Sequence, residues 1–153
     1  MKNKIFLLAL SMSLLQVTCF AQNDFFREPD MHKPLLFADL PAVLPVTIAE
    51  LEKPFKLSPG AVVSIDAGPA FFFQGVIRSV TPQNDNKLLT VIIRLTNRGG
   101  SNLTLSAITG DDGVITYTAK VLSFKHGDCF VLQKDEEQHY FFVKKNFYEV
   151  VGE

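Results

Sequence analysis

The chain has 153 residues, with 15 basic side chains against 16 acidic ones and a formal charge of −1. A balance this close to zero supplies no basic field to draw in a nucleic acid backbone, and the length suits one domain. Phenylalanine is abundant, at 14, and tryptophan is absent.

Met1-Lys2-Asn3-Lys4 is a basic start, followed by an apolar run from Ile5 to Leu15 and by Cys19-Phe20-Ala21, a small-residue cleavage site before Gln22. This order predicts a secretory signal peptide over residues 1–21 and export to a periplasm or the extracellular space. The apolar run is too short for a comfortable membrane span. Acylation at Cys19 is disfavoured because Gln16 and Thr18 fit a lipoprotein motif poorly. Cleavage removes Lys2, Lys4 and Cys19, so Cys129 becomes the only thiol and an intramolecular disulfide is ruled out.

Residues 22–54 read as a proline-rich wrapping segment, with Pro29, Pro34, Pro41, Pro45 and Pro54 breaking any long regular element. Leu35-Leu36-Phe37 and Val43-Leu44 make it too apolar for a free linker, so it is expected to lie over an apolar face. Thr47-Ile48-Ala49-Glu50 has capping-box spacing and predicts one short helix ending before Pro54.

Residues 55–153 read as an all-β domain of about eight antiparallel strands, closed as a barrel or stacked as a sandwich. Phe55–Leu57, Ala61–Ile65 and Phe71–Val80 are the first three expected strands. In the third, Gly75 marks either a bulge or a strand covered on both sides.

A five-strand meander over residues 88–144 completes the domain. A three-residue loop at Arg98-Gly99-Gly100 sets Val91, Ile93 and Leu95 opposite Ala107, Leu105 and Leu103. A three-residue Asp111-Asp112-Gly113 turn sets Leu103, Leu105 and Ala107 opposite Val121, Ala119 and Tyr117. A two-residue His126-Gly127 turn brings Lys125 against Asp128 as a cross-strand charge pair. The last loop, Asp135-Glu136-Glu137-Gln138, lacks glycine and leaves its type open, but two- and four-residue versions both place Lys134 opposite His139 and Leu132 opposite Phe141. On this register Leu122, Phe124, Cys129, Val131, Tyr140 and Phe142 share the outer face, an apolar surface that something must cover.

No stretch supplies a reaction motif. His126-Gly127-Asp128-Cys129 places a base, an acid and a nucleophile within four residues, but a reactive thiol needs an oriented imidazole beside it, which adjacency alone does not provide. His126 and His139 fall in turns at opposite ends of one strand, on the order of 20 Å apart at strand rise, so they cannot share a metal. Asp111-Asp112-Gly113 is explained by its turn and lacks the distal ligands of a calcium loop. No cofactor and no metal is expected. The sequence therefore points to a non-enzymatic exported domain that binds another protein or a second copy of itself, through Leu122, Phe124, Val131, Tyr140 and Phe142 or through loops at one end. The alternatives are a small thiol hydrolase using Cys129 with His126, and a carrier holding a small apolar ligand in the barrel. No motif identifies a family.

Overall fold

A computed structural model describes residues 32–151, so the expected signal peptide over residues 1–21 and the residues that follow it lie outside the described part. One eight-stranded antiparallel sheet curls into a half-barrel. In chain order the elements are β1 (Val43–Val46), α1 (Ile48–Glu52), a 3-10 turn (Lys53–Lys56), β2 (Val62–Asp66), β3 (Phe72–Gln83), β4 (Leu88–Leu95), β5 (Asn102–Thr109), β6 (Ile115–Leu122), β7 (Asp128–Lys134), β8 (Tyr140–Asn146) and α2 (Phe147–Val151). Strands β2 to β8 pair consecutively and β1 returns to pair with β8.

The count of eight holds, with one exchange of members. Phe55–Leu57 is not a strand: Pro54 sits in the first turn of the 3-10 segment that includes Phe55 and Lys56, where a missing N–H costs nothing. Its place is taken by β1, from the proline-rich stretch. The Lys144 N–H donates to the Ala42 carbonyl, so Val43 and Pro45 turn their main chains away from β8, onto the sheet's free edge. Pro45 is tolerated there because no partner strand asks for its N–H. The short helix forms as its cap predicts, with the Thr47 hydroxyl accepting from the Glu50 N–H.

Registers were set by loops, and the loops explain each departure. The β5–β6 ladder has the expected pairing, Leu103–Val121, Leu105–Ala119 and Ala107–Tyr117, with Gly113 at φ 79° closing the turn. Between β4 and β5 the register is two residues away from expectation: Val91 faces Leu105 and Ile93 faces Leu103. Thr96 is drawn across to β3, its N–H and hydroxyl both donating to the Gln74 carbonyl, and Asn97 bridges Phe72 and Gln74, which lengthens the loop.

Between β6 and β7 the pairing is Val121–Phe130, so the Lys125–Asp128 pair does not form. In β3 the bulge falls between Ile77 and Ser79, not at Gly75, which is glycine because the Arg94 carbonyl passes too close for any side chain.

The last hairpin departs by one residue. Leu132 faces Phe142 and Lys134 faces Tyr140, because the loop has three residues between Asp135 and His139, whose main chains bond at 3.0 Å. Gln138 takes the left-handed position at φ 70° that glycine would ordinarily fill. A one-residue step reverses the face of every side chain beyond it, so Tyr140 and Phe142 point inward. Phe142 is fully buried and meets Phe73 edge-on at 5.2 Å; Phe73 and Phe37 meet Phe130 in the same way.

Phe37 comes from the segment expected over the outer face. It plugs one end of the curl instead. Asp128, buried, accepts the N–H groups of Leu36 and Phe37 at 2.7 and 2.9 Å. The Lys144 ammonium donates to the carbonyls of Phe37 and Leu40, both at 2.6 Å. Arg98 grips Asp39 with its two terminal guanidinium nitrogens, Nη1 and Nη2, and holds that carboxyl below its usual pKa.

Candidate functional site

The five residues expected to form one binding face are distributed over three environments. Tyr140 and Phe142 are in the core, a correction that follows from the β7–β8 register. Leu122 and Val131 stay on the outer side and are partly covered, with α2 bringing Glu149 and Val150 beside Val131 and Lys120. Phe124 stands at the tip of the β6–β7 loop, 69% exposed, edge-on to the buried Phe147 of α2 at 5.6 Å. The Lys33 ammonium lies over the Phe147 ring at 4.6 Å. The cover on this side is thus α2, which the sequence reading did not anticipate.

Cys129 is buried to 1% exposure, and its thiol lies 3.7 Å from the Lys145 carbonyl and 3.9 Å from that of Asn146. Burial, with help from the neighbouring Asp128 charge, pushes its pKa up to about 11. His126 is engaged elsewhere: its Nδ1 is 2.9 Å from the Ser123 hydroxyl, within a turn in which the His126 N–H also donates to the Ser123 carbonyl. A nucleophilic thiol requires the opposite arrangement, a lowered pKa and an imidazole in contact. His139 lies in the other turn, beside Asp135 and Glu137. Among the described residues no three His, Cys, Asp or Glu side chains gather as a metal site, and no helix is long and apolar enough to cross a membrane.

The interior that was to hold an apolar ligand is occupied by side chains, with Phe37, Phe73, Phe130 and Phe142 fully buried at its centre. A large concavity lies outside it, at the seam where β1 and α1 meet the end of β2 and the β7–β8 turn. Here Pro45 packs beside Gly68, at whose position a Cβ would stand 3.5 Å from the proline ring. Glu50 of α1 accepts the Asp66 N–H at 2.9 Å, so the helix takes the place of a strand on the free edge of β2.

The groove left along this seam has a volume of about 830 Å3. Val46, Ile48, Ala49 and Phe141 supply apolar surface, and Glu50, Asp66 and His139 are at its polar margin. Partial burial opposes the Glu50 charge, but the Lys53 ammonium and the Asp66 N–H outweigh it and hold the pKa below the usual value. The Asp66 carboxylate has no salt-bridge partner among the described residues. The turn carrying Asp135, Glu136 and Glu137 ends at the same groove, through Gln138 and His139.

Sequence reasoning missed this site because its walls come from β1, α1, the end of β2 and the β7–β8 turn. The one signal that pointed to it was the capping box at Thr47. Comparison with known proteins gives no match: no family model fits the chain, and no curated protein or solved structure is detectably similar to it.

Proposed function

We propose that this is an exported, non-enzymatic β-domain that binds another protein through the groove at the seam. The observation that carries the reading is the groove itself, a wide apolar concavity whose margin holds a carboxylate with no salt-bridge partner among the described residues, on a sheet whose interior is filled by side chains. Pockets of several hundred Å3 with apolar walls and a few polar groups are the usual form of a binding site. The charges specify the occupant: Asp66, with Asp135, Glu136 and Glu137 nearby, favours an apolar segment bearing a lysine or arginine. Export rests on the basic start, apolar run and small-residue site of residues 1–21.

The test is selection of displayed random peptides on the mature protein, followed by affinity measurement against Ile48→Glu and Asp66→Lys. Both side chains are exposed, so both variants are expected to fold. Selected peptides should combine one basic residue with apolar neighbours and should lose at least about tenfold in affinity for each variant. Peptides without a basic residue, or with unchanged affinity for both variants, would contradict the reading.

A further inference from the structure

The edge strand β1 opens an apolar surface that continues onto its neighbours. Its exposed residues, Val43 and Pro45, pair with Val143 and Phe141 of β8, and Val143 pairs in turn with Val131 of β7. Residues directly opposed in a ladder share a face, so Val43, Val143 and Val131 form one row on the outer side, with Pro45 and Phe141 in the row beside it. The residues that alternate with them, Leu44, Phe142 and Leu132, are in the core. Ile48 of α1, 47% exposed, joins the patch through the seam groove. Six adjoining apolar side chains on an outer face mark a docking surface.

The charges around this patch are sorted by position. Across the rows the order runs from Asp66, beside β1 at the seam, to Lys120 of β6, the cross-strand neighbour of Val131. Along β8 it runs from the turn carrying Asp135, Glu136 and Glu137 to Lys145. Lys120 and Lys145 meet past Val131 in a hollow of about 290 Å3, where Glu149 is the one acid in the lining. Neither lysine has a salt-bridge partner among the described residues. The patch is therefore acidic at one corner and basic at the corner diagonally opposite.

We infer that the outer face of β1, β8 and β7 docks a second copy of this chain about a two-fold axis. A rotation about an axis lying across that diagonal lays the apolar patch of one copy on that of the other and sets each acidic corner against the partner's basic corner. One surface thus complements itself in shape class and in charge. The inference rests on the reading of the seam groove as a site for an apolar, basic protein segment, because Val131 flanked by Lys120 and Lys145 is such a surface on the chain itself. Edge-to-edge pairing along β1 is disfavoured, since Pro45 offers its ring instead of an N–H to the open side. Association goes through the face.

The test is analytical ultracentrifugation of the mature protein at low ionic strength. A dimer with a dissociation constant of about 10 µM or tighter is expected. Val43→Glu, at an exposed position, should weaken it at least about tenfold, and Lys120→Glu combined with Lys145→Glu should do the same, with the fold intact by circular dichroism. Adding Asp66→Lys and Glu136→Lys to the double lysine variant exchanges the two corners and should recover most of the lost affinity, which damage to packing would not allow. A protein still monomeric at about 100 µM, a dimer indifferent to Val43→Glu, or no recovery on the exchange would overturn the inference. A monomer that still binds basic, apolar peptides at the groove overturns the second copy alone, and a monomer that selects no such peptides overturns the groove reading with it.

Discussion

The first and last hairpins of the meander were both displaced from the register their sequences suggest, yet only one displacement matters. Between β4 and β5 the step is two residues, and every side chain keeps its face: Val91, Ile93, Leu103 and Leu105 remain in the core. Between β7 and β8 the step is one, and Tyr140 and Phe142 move from the outer face to the inner one. The comparison teaches that a strand's own alternation protects against loop errors of even length and against nothing else. Once Tyr140 points inward its hydroxyl can take the Tyr117 N–H, and β6 no longer needs β7 along its lower half.

The largest effect that can break this comparison is at Phe142. Phe142→Ala should cost about 3–5 kcal/mol, the range for deleting a buried aromatic, while Phe124→Ala, on the exposed loop tip, should stay within about 0.5 kcal/mol. Urea denaturation of the two variants checks both, and similar losses in the two would return Phe142 to the outer face.

The next effect concerns Cys129, which keeps the outer side but lies under cover. Its folded pKa is raised from an ordinary 9.0 to about 11, so the folded state holds its proton longer than the unfolded chain. The stabilisation is fully present below pH 9 and is lost as pH rises toward 11, by roughly 2 kcal/mol. A Cys129→Ser variant should lack most of this dependence in denaturation curves taken across that window. Native protein at neutral pH should resist thiol reagents and label only after unfolding.

The smallest effect is at the turn itself. Gln138→Gly should raise stability by about 0.5–1 kcal/mol, because glycine adopts the left-handed conformation without a Cβ penalty. A loss on this substitution, measured by thermal melting, would mean that the turn is not the three-residue form.

These elements also show what the sequence could and could not convey. The β5–β6 register was legible because Gly113 marks the left-handed position of its turn. The β7–β8 register was not, because Gln138 fills the same position without announcing it. Strand β1 was hidden by Pro45, whose tolerance depends on lying at an edge, a fact of topology. Helix α2 spans only Phe147–Val151, too short to show a period. The seam groove was invisible because the sequence pattern does not say that Val43–Val46 pairs with β8. The Cys129 and His126 adjacency was legible as a turn, and the structure places each side chain with a different partner.

Strand β6 pairs with β7 only at Lys120–Val131 and Val121–Phe130, and farther along the Tyr140 hydroxyl accepts the Tyr117 N–H in place of β7 main chain. Amide hydrogen exchange in wild type and Tyr140→Phe tests it most directly. The Tyr117 amide should be protected in wild type and exchange at least about tenfold faster in the variant, with Thr118, which faces β5, unchanged. A Tyr117 amide that stays equally protected without the Tyr140 hydroxyl would mean that β7 itself pairs there.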